Sequence, residues 1–224
     1  MSQVVKQIED KFEIILASSS PRRYEIVTDV MGFANIKLMK PSFEENLDKT
    51  LYEGDPVRYV HDTSRAKAIG IVDDIKQLEI SASEKRPKLI ICADTVVIDS
   101  DNNIHEKPKE SQKQLANLLS FRDSDGPVKV ATSVTLIIWQ NTEDYSFEQF
   151  DEISEVHFDP DFPLGILYDY VDSRDALDVA GGFKVQSFGG AMISQINGDF
   201  FNIVGLPLNK TFKALYKAAF PLEG

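Results

Sequence analysis

Cysteine is nearly missing from this chain. Cys92 stands alone, so no disulfide can form within the chain, and a fold stapled by bridges is excluded. Stability has to come from a packed core, for which 224 residues are ample. Long apolar runs are also missing. The longest, such as residues 136–139, fall far short of the roughly 20 residues that a membrane-spanning helix needs. Residues 1–11 are polar and mixed in charge, without the apolar stretch of a secretion signal. The expected setting is therefore the cytoplasm, with no membrane partner. Positive charge is scarce: 24 Lys and Arg stand against 36 Asp and Glu, a net charge of −12. Such a chain has no bulk electrostatic hold on a nucleic acid polymer. It can still bind a small anion if its few cations are gathered in one place.

Several chemistries lack their signatures. The three histidines, His61, His105 and His157, are scattered without metal-ligand spacing. No phosphate-binding Walker loop, HExxH, GxSxG or zinc pattern is present. The 7 Tyr and 14 Phe are not interleaved with basic residues as in RNA-binding surfaces. Cys92 lies inside an apolar run and reads as a buried structural thiol rather than a nucleophile.

What the chain does have is alternation. Strand-like runs occupy 12–17, 88–98, 128–139 and, more weakly, 150–158, with further short ones at 191–196 and 200–204. Helical spacing marks 21–31, 56–75, 110–121, 163–171 and 210–219. The run at 88–98 is almost continuously apolar, as in a central strand covered on both faces. Strands alternating with helices predict an α/β fold around a mixed sheet. Residues 81–88 and 122–127 read as inserted loops, too short to separate domains. One domain spanning 1–224 is expected, with 1–11 as a flexible extension.

The segment LASSSPRRYEI, residues 16–26, is the most informative. A strand ends in three serines, and a helix opens at Pro21. Ser20 suits the N-cap and Pro21 the first helical position. A helix start offers free N–H groups to an anion, and the Arg22 and Arg23 guanidinium forks match phosphate oxygens. Ser18, Ser20, Arg22 and Arg23 thus compose a phosphate cradle; the same residues also describe a capped helix with two solvated arginines. Asp94 places a charge inside the apolar run ICADTVV, and a buried carboxylate needs a cation, a metal or several donors. Thr95 beside it is a ligand donor or a plain β-branched strand residue. Glu45, Lys67, Lys107 and Gln186 stand singly in FEEN, SRAKA, EKP and GFKVQ, and each alone also fits a solvated surface position.

In order along the chain, LASSSPRR (16–23), FEEN (43–46), SRAKA (64–68), ADTVV (93–97), EKP (106–108), AGGFKVQ (180–186) and NIVGLPL (202–208) resemble the motifs of the Maf family of nucleotide pyrophosphatases. The resemblance runs from about residue 14 to 215. It departs at Phe121 and Val128, where the family carries Gly and His, and at Val179, Phe183 and Ser187 in place of Lys, Tyr and Gly.

The resemblance implies a two-lobed α/β fold related to inosine-triphosphate pyrophosphatases, with the active site in a cleft between lobes. It implies hydrolysis of a nucleoside triphosphate to the monophosphate and pyrophosphate, and frequent homodimers. Asp94 and Glu45 would hold a divalent metal, Mg²⁺ or else Mn²⁺ or Co²⁺, and the attacking water. Lys67 and Lys107 would complete the catalytic set by neutralising the triphosphate. Ser18, Ser20, Arg22 and Arg23 would hold its oxygens. The Thr95 and Gln186 pair is similar to the branch acting on dTTP and UTP. The alternatives are a catalytically weak nucleotide-binding regulator of cell division, or another phosphate-ester hydrolase.

Overall fold

A computed structural model describes residues 2–43, 47–79 and 86–221. In chain order the elements are α1 (Gln3–Lys11), β1 (Glu13–Ala17), α2 (Pro21–Glu25), β2 (Ile36–Leu38), α3 (Pro56–Glu79), β3 (Lys88–Ile98), β4 (Ile104–His105), α4 (Ser111–Arg122), β5 (Val128–Trp139), β6 (Tyr145–Phe158), α5 (Leu164–Asp172), β7 (Ile193–Asn197), α6 (Phe200–Val204) and α7 (Leu208–Ala219). The seven strands form one mixed sheet in the order β2-β1-β3-β5-β6-β7, with β4 also on β3.

The sheet is built around β3. It pairs with β5 antiparallel along its whole length, from Lys88↔Trp139 to Ile98↔Lys129. On its other edge it pairs with β1 in parallel only as far as Ala17↔Cys92, and β4 joins that edge at Val97↔His105. Among the described residues, no strand covers that edge of β3 between residues 93 and 96. The sheet therefore has a notch beyond the C-terminal end of β1, the place where open α/β sheets accept ligands.

Side chains alternate across β3, and helices cover both faces. Leu89, Ile91 and Ala93 join α1, the α2 segment and α7 in one core. Ile90 and Cys92 meet Ala68, Ile71, Val72 and Ile75 of α3 in a second. Beyond the notch, Val97 packs with α4 and α5, while Val96 and Ile98 meet Tyr59 and Val60 at the other end of α3. Two lobes thus share β3 and β5, and α3 runs across the seam between them.

Three elements differ from the sequence expectation. Residues 3–11, expected as a flexible extension, are the helix α1. Its Val5 and Ile8 are buried in the first-lobe core, and Lys11 Nζ donates to the Ala219 carbonyl at 2.8 Å. The polar composition is the outer face of an amphipathic helix. The helix at 21–31 divides into α2 and a π-helical turn, Ile26–Val30, that buries Ile26 and Val27. Residues 200–204, expected as a strand, form α6. Asp199 caps it by accepting from the backbone N–H of Phe201 and Asn202, and Gly205 at φ 130° ends it. The cap prevailed over the strand preference of Phe, Ile and Val.

Candidate active site

The notch opens into a cleft of about 780 Å³ lined from both lobes. The turn after β1 delivers Ser18 and Ser20, β3 delivers Asp94 and Thr95, α3 delivers Lys67, and the turn after β4 delivers Lys107. Arg22 and Arg23 of α2 complete the wall. Eight of the ten residues singled out from the sequence therefore meet in one place.

Asp94 follows the even-numbered face of β3, which α3 covers. Where Ile90 and Cys92 meet apolar side chains, Asp94 meets Lys67, whose Nζ donates to Oδ1 at 2.7 Å. Asp94 is 9% exposed and Lys67 6%. Two charges this deep are tolerated because each answers the other. They also put a cation and a carboxylate at the floor of the cleft.

Arg23 holds the mouth of the notch together. Its Nε donates to Gly205 O at 2.8 Å, Nη1 to Ser18 Oγ at 3.2 Å and Nη2 to Thr95 Oγ1 at 3.0 Å. Thr95 Oγ1 is also 2.9 Å from Thr132 Oγ1. Ser20 caps α2 by accepting from Arg23 N, and its own N–H donates to Ser18 Oγ. The serine-arginine segment is thus ordered by its own hydrogen bonds. Arg22 donates to Val204 O at 3.3 Å. Burial pulls its pKa below the ordinary guanidinium value, against the opposing pull of Glu25, Asp175 and Asp178.

Two residues are not brought into this set. Gln186 sits exposed in a turn outside the cleft lining, two positions beyond Lys184, which does line it. Glu45, expected as the second metal ligand, lies outside the described residues.

The cleft also contains charges that sequence reasoning missed. Lys109 lines it and donates to Asp178 at 2.5 Å; Lys184 lines it and donates to Asp175 at 2.6 Å. Glu106 accepts from Tyr59 at 2.8 Å and is paired with Lys49. Lys109 and Glu106 flank the Lys107 motif, so proximity in sequence was an available signal. Asp175 and Asp178 lie in a polar turn with no pattern to mark them. Cys92, one strand position outside the notch, is buried, and burial pushes its thiol up to about 12 despite nearby Lys67 and Arg23. It is not a nucleophile here.

Among the described residues, no three His, Cys, Asp or Glu side chains are gathered to hold a metal ion. The donor chemistry still fits magnesium, which takes one or two carboxylates and completes its shell with water and phosphate oxygens. Asp94 is the described carboxylate at the floor of the cleft.

The chain belongs to the Maf-like protein family, whose model matches residues 13–218. It is 49% identical over 219 residues to a dTTP/UTP pyrophosphatase of Saccharomyces cerevisiae, covering 96% of this chain and 94% of that protein. A dTTP/UTP pyrophosphatase of Schizosaccharomyces pombe is 38% identical over 216 residues, covering 95% of this chain and 86% of that protein. A solved HAM1 protein from Coxiella burnetii overlays with a TM-score of 0.44 and 14% identity, over 92% of this chain and 99% of that one.

Proposed function

We propose that this cleft hydrolyses dTTP and UTP between the α- and β-phosphates, releasing the nucleoside monophosphate and pyrophosphate. The buried Lys67–Asp94 pair at the notch of β3 is the observation that carries the reading. It sets a carboxylate able to take a proton from water beside a cation able to meet phosphate charge. The relatives named dTTP/UTP pyrophosphatase, matched over nearly their whole length, support the reaction and the pyrimidine preference.

The residues divide the work as follows. Lys67 donates to Asp94 and so fixes the carboxylate that orients the attacking water. Lys107 and Lys109 face the triphosphate and offset the −12 net charge locally. Arg22, Ser18 and Ser20 hold phosphate oxygens, while Arg23 keeps Ser18 and Thr95 in position. Water adds its oxygen to one phosphorus, its proton passes to Asp94, and the bridging oxygen leaves with the other product. Mg²⁺, or Mn²⁺ or Co²⁺ in its place, would be held by Asp94 with Glu45 and would supply charge neutralisation at the phosphates. We place the reaction in the cytoplasm and the chain in a homodimer, which light scattering tests.

The deciding experiment is product analysis with Mg²⁺ and a panel of nucleoside triphosphates. Monophosphate plus pyrophosphate from dTTP and UTP is the expected result, abolished by Asp94→Asn with the fold retained. Orthophosphate as the product, or a marked preference for 7-methyl-GTP, overturns the reading.

A further inference from the structure

Lys107 reaches the cleft from the turn that follows β4, a strand only two residues long. We infer that His105, the last residue of β4, is the positioning residue that sets Lys107 in the cleft, its ring held between Asp99 and Asn117. This rests on the pyrophosphatase reading of the cleft.

The hydrogen bonds hold the ring at both nitrogens. Nε2 lies 2.8 Å from Asp99 Oδ2, and Nδ1 lies 3.1 Å from Asn117 Oδ1. The Asn117 amide is held in this sense because its Nδ2 donates to the Gly181 carbonyl at 3.5 Å. Turning it over would set its oxygen against that carbonyl. Gly181 N donates to Glu106 O at 3.2 Å, which closes a circuit from His105 through Asn117 and Gly181 to the residue before Lys107.

The far side of the circuit is rigid. One turn earlier on α4, Gln114 Nε2 donates to Gly182 O at 2.8 Å. Gly181 and Gly182 hold φ of 71° and 84°, and a Cβ on Gly181 would lie 2.7 Å from Val97 Cγ2. The turn therefore cannot shift toward the sheet. His105 itself is 17% exposed and packs edge-on against Phe121 at 4.9 Å. Of the groups around the ring, Asp99 comes from the turn after β3. Burial opposes its ionisation, yet hydrogen bonds from His105 and Asn103 hold its carboxyl below the usual range. From α4 come Asn117 and Phe121, both neutral. From the turn that follows the strand come Glu106, engaged by Tyr59 and Lys49, and Lys107.

The test is a double-mutant cycle read by pyrophosphate release from dTTP. His105→Gln keeps one hydrogen bond and breaks the circuit. It is expected to lower kcat by about tenfold, the scale of a misplaced catalytic group. In a Lys107→Ala background it is expected to cost nothing further. The loss is expected in kcat, with KM for dTTP staying close to the wild-type value. Asp99→Asn provides the same cycle if His105→Gln does not fold. Losses that multiply with Lys107→Ala, or a loss carried by KM alone, overturn the inference while wild-type turnover leaves the pyrophosphatase reading standing. A wild type that releases no pyrophosphate overturns that reading instead.

Discussion

Asp94 and Lys67 show how one residue pair serves both fold and chemistry. Both are buried, and the Lys67 ammonium answers the Asp94 carboxylate. Lys67→Met should therefore cost about 3 kcal/mol in urea denaturation, because it strands the Asp94 carboxylate without its cation. Asp94→Asn keeps an amide oxygen within reach of Lys67 and should cost clearly less, while losing all turnover. The same scale gives a prediction for Cys92. A thiol buried completely, with its pKa raised to about 12, should not react with a disulfide reagent near neutral pH in the native protein. Unfolding in urea should release one reactive thiol per chain, and a fast native reaction would contradict the packing of β3 against α3.

At the scale of elements, the sequence was most legible where periodicity was long. The runs at 88–98 and 128–139 match β3 and β5 end to end, because stretches of eleven and twelve residues made mostly of apolar and β-branched side chains leave little choice. It was least legible where a short segment is decided by its neighbours. α6 has strand composition, but Asp199 and Gly205 bracket it as a helix. α1 reads as a polar tail until the core supplies a surface for Val5 and Ile8. Ile8 is fully buried, so Ile8→Ala should destabilise the protein by about 3 kcal/mol, measured by denaturant unfolding. A flexible tail would give no change.

The whole molecule adds a dependence on pH. The Asp99 carboxyl is held below its usual range in the folded state, chiefly through His105 and Asn103 and against the pull of burial. A depressed carboxylate contributes stability that is present above its unfolded pKa, about 3.9, and is lost as pH falls through the folded value. Asp99→Asn should thus be less stable than wild type at pH 7, and the difference should close below about pH 4. Urea midpoints at pH 7 and pH 3 check it; an equal gap at both would show that Asp99 contributes through shape rather than charge.

The α/β class, the central strands and eight of the residues that line the cleft were legible in the chain alone. Those features rest on local composition, on spacing, and on motifs whose residues are contiguous in the chain. Only the fold makes β1 end opposite Cys92 and β4 begin opposite Val97, which opens the notch. It also decided that α3 carries Lys67 across the seam to Asp94, that Arg23 turns inward to Ser18 and Thr95, and that Gln186 stays at the surface. These contacts join residues as many as 182 positions apart, such as Arg23 and Gly205. No local preference encodes such a pairing, because its free energy appears only when both cores have closed around it.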